Sequence, residues 1–274
     1  MLRKLMKHEL RATGRIMLPM FLLVLITAVG ANISTRTLLE MDSGVLNVLG
    51  LIIMTAFALA IAAVCIMAFV LMIQRFYKNL LQDEGYVMMT LPVSVHQHVI
   101  SKLLVSMLWF VLSAVVVAAA FFILAYEVGI VTDIFTGLKK LLTEMGAAEY
   151  YFDAAAFVVE FTVLLFFGCA ASCLNIYLAM AIGHSFANRK LLMSVVAYFV
   201  IQFALEIVAA VFASILSRLS DSGALLQLEN LMLNMAELTV MHVALLCVTL
   251  MSIISAAVFY FPTVWCLKHK LNLE

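Results

Sequence analysis

Charge is scarce in this chain. Only 12% of its 274 residues are Asp, Glu, Lys or Arg, against roughly 25% in a soluble domain. The hydrophobic share is 66% and the mean hydropathy +1.16. So little charge excludes an ordinary water-facing surface, and the bilayer is read as the main solvent. Acids and bases balance at 16 each, so bulk charge points to no nucleic-acid partner. The motifs of common chemistry are also missing. There is no G-x-x-x-x-G-K-[ST] to cradle ATP phosphates, no H-E-x-x-H and no G-x-S-x-G. The five cysteines (Cys65, Cys169, Cys173, Cys247, Cys266) lie in apolar runs and offer neither a disulfide framework nor zinc spacing. Cys169 and Cys173 are helical neighbours at i, i+4 and read as small hydrophobes. His96-x-His98 has no Cys or carboxylate at ligand spacing. The residues therefore imply no metal, no cofactor and no catalytic group.

What the chain does have is long apolar runs. They lie at about 16–33, 45–73, 102–126, 157–182, 191–216 and 240–267. Each is near or above the ~20 residues that cross ~30 Å of hydrocarbon. The expected fold class is all-α, a polytopic membrane protein with six transmembrane helices. Residues 1–274 are expected to form a single transmembrane domain. Residues 1–15, with Leu2, Leu5, Met6 and Leu10 on one face and Arg3, Lys4, Lys7 and Arg11 over the rest, suit an amphipathic helix in the membrane interface. A secretory signal is the competing reading, but the run from Ile16 to Gly30 is longer than a usual h-region and no A-x-A site follows.

Orientation follows the placement of Lys and Arg. With the N-terminus in the cytoplasm, twelve of the sixteen bases fall on inner segments. Arg36, Lys139, Lys140 and Arg218 fall outside. Both termini are then cytoplasmic. Two outer segments are expected to be more than turns. In 127–156, Ile134, Leu138, Leu141, Leu142 and Met145 fall at helical spacing among acids that outnumber Lys139 and Lys140. In 217–239, polar Gln227, Glu229, Asn230, Asn234 and Glu237 interrupt an apolar stretch, which suits a shallow re-entrant hairpin.

The most informative stretch is cytoplasmic on this topology, residues 74–101. It is charged and carries turn chemistry. Gly85 can take φ > 0 after Asp83-Glu84. Pro92 stops what precedes it, and Ser94 with Gln97 forms a capping box before the next helix. A stop, a cap and a restart describe a folded element that passes force or binding energy to its neighbouring spans. Within the spans the odd residue is Glu206, with Gln202 one turn earlier. A charge at mid-span costs about 2.5–3.5 kcal/mol on insertion scales. Glu206 is either a substrate-path or gate residue or a structural hydrogen-bonding group. Asn175 and His242 are milder cases and read as polar packing groups.

FYKNLLQDEGYVMMTLPVSVHQHVISKLL, from Phe76 to Leu104, resembles the "DEGY…TLPVS…SK" segment of small type-2 ATP-binding-cassette (ABC) permeases of Gram-positive-type bacteria. The opening KLMKHELRATGR and closing LKHKLNLE are similar to the ends of that group. The resemblance implies a permease subunit, usually of an exporter, in the bacterial cell membrane. It implies a separately encoded ATPase subunit as partner and a second permease subunit, identical or sister. Leu80, Leu81, Gln82, Asp83, Glu84, Gly85 and Tyr86 would form the coupling element on the ATPase, with the two leucines as apolar anchors. Residues 1–15 would be the interfacial connecting helix and 217–239 the outer re-entrant hairpin. Gln202 and Glu206 would be path or gate residues. The 127–156 segment departs from better-known members. The competing reading is a non-transporting immunity or sensor protein that binds a peptide from outside, suggested by the acidic outer face. An intramembrane enzyme is disfavoured, because no nucleophile is paired with a base.

Overall fold

The computed structural model describes residues 2–38, 44–82, 93–125, 151–186, 189–223 and 236–269, and single positions within 85–90 and 133–143. Among the described residues the chain is helical, with six helices long and apolar enough to cross a membrane. They are α1 (Leu2–Ile33), α2 (Gly44–Phe76), α3 (Val95–Leu124), α4 (Tyr151–Gly183), α5 (Lys190–Asp221) and α6 (Glu237–His269). Five-residue π-helical turns follow α1 at Ser34–Leu38 and α2 at Tyr77–Leu81. Large apolar side chains point outward all along these helices. Water would penalise such a surface; hydrocarbon accepts it, because a helix satisfies its own backbone polar groups.

Contacts divide the chain into two compact units, Met1–Phe76 with His96–Glu149, and Tyr77–Val95 with Tyr150–Glu274. In the first, α1, α2 and α3 share one core. Met17, Phe21 and Val24 meet Phe57, Ala60 and Val64, with Val105 and Trp109 from α3. Small residues at Ala28, Ala31, Ala60 and Ala68 let the backbones approach, the packing that drives helix association in lipid. Polar groups close both ends. At one end the Asn32 amide donates to the carbonyls of Ile123 and Leu124 at 3.0 Å each, and Ser34 Oγ donates to the Gly50 carbonyl. At the other, Trp109 Nε1 donates to Thr13 Oγ1 at 2.7 Å, and Lys102 Nζ reaches Glu9 Oε1 at 2.5 Å.

Residues 1–15, expected as an interfacial helix, are continuous with the first span. Leu2–Ile33 is one continuous helix, about 48 Å long at 1.5 Å per residue. Its polar first half packs as the rest does, with Glu9, Thr13 and Gly14 buried and the Trp109 ring beside Gly14; Pro19 lies further along the same helix.

In the second unit α4 is the central helix, packed along α6 and against α5. Ala170, Cys173, Leu174, Tyr177 and Ala181 of α4 are buried, as are Phe259, Val264 and Leu267 of α6. His242 Nδ1 on α6 lies 2.8 Å from Glu160 Oε2 on α4, and its ring stands edge-on to Phe157. By contrast α5 buries one residue, Ser194. It ends where Gly223, at φ 75°, turns left-handed and donates to the Ser220 carbonyl, a conformation glycine adopts without a Cβ clash. Helix occupies 151–156 and 217–221, so α4 and α5 take in parts of the two segments expected between spans. Most of 127–150 and all of 224–235 lie outside the described residues, and with them the amphipathic helix and the re-entrant hairpin.

Candidate functional site

The first turn of the connection leaving α2, Tyr77–Leu81, is folded. The π-helical turn Tyr77–Leu81 extends α2 and buries Asn79, Leu80 and Leu81, with Leu80 0% exposed. Leu80 and Leu81, which the resemblance implies as apolar anchors for a partner, are buried against their own chain. They seat the segment on its own chain. Gln82 is exposed and Gly85 buried, with Gly85 N–H donating to the Gln82 carbonyl at 2.7 Å. Gly85 is helical. Asp83, Glu84 and Tyr86 lie outside the described residues. Ser94 immediately precedes α3, as the capping pattern predicts.

What the segment rests on was not anticipated. The Tyr77 ring stands edge-on to His184 at 5.0 Å. His184 follows α4 directly, is 1% exposed, and its Nδ1 lies 3.1 Å from the Met180 carbonyl. Burial holds the imidazole below its ordinary pKa, with nearby Lys190 pushing the same way against the Met180 carbonyl. The neutral ring is thus the form the fold prefers. The turn from α4 to α5 is tight. A Cβ on Gly183 would run into the backbone and hydroxyl of Ser194, and Arg189 before α5 sits at φ 52°, uncommon for a residue with a side chain. A tyrosine and an asparagine at the start of the connection, and a Gly-His pair at a helix end, were the only sequence signals for this seat.

The mid-span pair predicted on α5 is split. Gln202 is half-buried toward α4: its Nε2 donates to Tyr198 Oη at 2.9 Å and its Oε1 accepts from Asn175 Nδ2 at 3.5 Å. Glu206, one turn further, is exposed. Asn175 serves in this ladder and His242 in the contact with Glu160.

In the first unit the sequence reading passed over Glu9 and Lys102. Their side chains are 10% and 3% exposed. With Thr13, Met72, Arg75, Ser106 and Trp109 they line a small cavity beside the last turns of α2. The two charges lie 93 residues apart in the chain, and each alone reads as one more polar group near a span end. No group of three His, Cys, Asp or Glu among the described residues is placed to hold a metal ion. The chemistry available here is packing, hydrogen bonding and charge. Comparison with known proteins finds no matching family model, no matching curated protein and no matching solved structure.

Proposed function

We propose that the chain is the membrane-spanning permease subunit of an ABC exporter in a bacterial cell membrane, driven by a separate ATPase subunit, with both termini cytoplasmic. The observation that carries this reading is the folded first turn of the connection after α2. It leaves the helix as a continuous turn, is seated by Tyr77, Leu80 and Leu81, and then presents Gln82 to solvent. Such an element passes a push from outside the membrane into helices, which a loose connector would absorb. The resemblance of Phe76–Leu104 to the type-2 permease segment supports the same reading.

On this proposal Gln82, Asp83, Glu84, Gly85 and Tyr86 contact the ATPase, while Leu80 and Leu81 transmit the contact inward. ATP binding closes the ATPase dimer, the segment moves, and the displacement reaches α4 and α5 through Tyr77 and His184. A rigid-body tilt of packed helices is an established way to switch access. The chain holds no nucleotide motif, so hydrolysis belongs to the partner. A second permease, identical or sister, covers the exposed face of α5, with Gln202 and Glu206 beside the path. An exposed mid-span carboxyl is poorly served by lipid alone, and this supports a protein or aqueous neighbour there.

The test is co-purification of the solubilised chain from its native host. An ATPase bearing a Walker motif should accompany it and be released by Asp83→Ala/Glu84→Ala. If the chain purifies without an ATPase, or the double variant keeps it, ATP coupling through this segment is wrong.

A further inference from the structure

We propose that the mid-span face of α4 and α5 binds the protonated amino group of an amphiphilic cation, which gives the transported substrate its chemical class. The ladder there has acceptors to spare. Asn175 is 8% exposed, and its Oδ1 has no hydrogen-bond partner among the described residues. Its amide nitrogen already donates to Gln202 Oε1, and Gln202 donates onward to Tyr198. The capacity left over is therefore an acceptor, and a buried acceptor seeks a donor. Glu206 adds a carboxyl one turn along α5, its Cβ about 5–6 Å from that of Gln202.

Nothing in the surrounding spans supplies the complement. The stretch Tyr151–Gly183 of α4 contains no Lys, Arg or His, nor does 191–217 of α5 or 243–267 of α6. The site thus pairs surplus acceptors with a missing cation. A hard metal ion asks for about six oxygens in one shell, more than this ladder offers. A quaternary ammonium carries charge but no N–H for Asn175. A primary or secondary ammonium brings both: an N–H to Asn175 Oδ1 and positive charge to Glu206, the stronger kind of hydrogen bond. The apolar body has a place as well. Phe203 is 65% exposed one turn before Glu206, and Phe199 lies a further turn back on the same helix. Their ring faces also attract a cation.

The inference rests on the permease reading for its biological sense, but the binding needs no ATPase and is tested without one. The full-length chain in nanodiscs is dialysed against 2-phenylethylamine, 2-phenylethanol or 3-phenylpropionate, with empty nanodiscs subtracted. The amine should bind saturably, and the alcohol and the acid at least about tenfold more weakly, as expected when a charge-assisted hydrogen bond is lost. Glu206→Gln should weaken the amine about tenfold or more, and Asn175→Ala should weaken it less. Glu206 is exposed, so its variant should keep the wild-type size-exclusion profile. Equal binding of the three probes, or unchanged amine binding by Glu206→Gln, overturns the proposal. Failure here while the ATPase still co-purifies leaves the permease reading standing; the converse result removes ATP coupling and leaves the site.

Discussion

The two units treat their third helix differently. In the first, α3 contributes Val105, Trp109 and Ala120 to a core shared with α1 and α2, and adds Lys102 to a buried ion pair. In the second, α5 lies against α4 but buries only Ser194. Both are three apolar helices, and composition does not separate them. The difference lies in where polar groups find partners. Glu9, Thr13 and Asn32 find theirs on α3. Tyr198, Gln202 and Asn175 satisfy one another only in part, and Glu206 faces out. Neither unit matches every polar atom, since Ser113 Oγ in the first and Asn175 Oδ1 in the second are buried with no hydrogen-bond partner among the described residues. What separates the units is that the first ties its third helix in with a buried ion pair and the second leaves Glu206 on an open helix.

Breaking the buried ion pair of the first unit should cost most. Glu9→Ala leaves Lys102 buried without its carboxylate and should destabilise the chain by about 3–5 kcal/mol, read by chemical denaturation in mild detergent. Replacing both, Glu9→Leu with Lys102→Met, should recover much of that loss, because paired apolar groups need no desolvation compensation. Equal losses in the single and double variants would show that the pair is not the cause.

Next in size is the α4–α5 turn. Gly183→Ala places a methyl against Ser194 backbone and should cost about 1–3 kcal/mol, the usual range for overpacking. Restoration by Ser194→Gly should be small, since backbone and not only the hydroxyl is in the way. Full rescue would place the clash on the hydroxyl.

A smaller effect should follow pH. His184 has a lowered pKa in the fold, so the unfolded chain binds the proton more readily. Stability from this residue is then complete above the ordinary value of 6.5 and declines as pH falls below it, toward the lower folded value. Thermal unfolding should show an acid-side drop that is absent in His184→Phe, which keeps an aromatic against Tyr77. An identical pH profile in that variant would assign the drop elsewhere.

The smallest effect belongs to the open helix. Glu206→Leu on the isolated chain should change stability by no more than about 0.5 kcal/mol, as for an exposed position. A large loss would mean that Glu206 already has a structural partner and would close the contrast between the units.

How much of this was legible in the sequence varies by residue. Each expected span lies on one of the six helices, although α1 begins 14 residues before its expected span, because a membrane span is decided by the transfer cost of about twenty consecutive side chains, which is a local sum. The restart of helix at Val95 after Ser94 was legible for a similar reason, since capping acts over three residues. The partners of Glu9, His242 and Tyr77 were not. Their contacts join residues 93, 82 and 107 positions apart, and nothing in a linear pattern states which of several polar groups at span ends will meet. Gln202 and Glu206 were read as one face, yet one turns toward α4 and the other outward, because the 40° between i and i+4 straddles the edge of the contact.

The amino-acid sequence by itself determined that the chain has six helices long and apolar enough to cross a membrane, and that a polar stretch follows the second. Those properties are sums over neighbours in the chain. Tertiary structure alone decided that α1 runs unbroken from Leu2, that Leu80 and Leu81 face inward, and that Asn175 keeps an unused acceptor. Burial and pairing are relations between distant residues, settled only when helices pack.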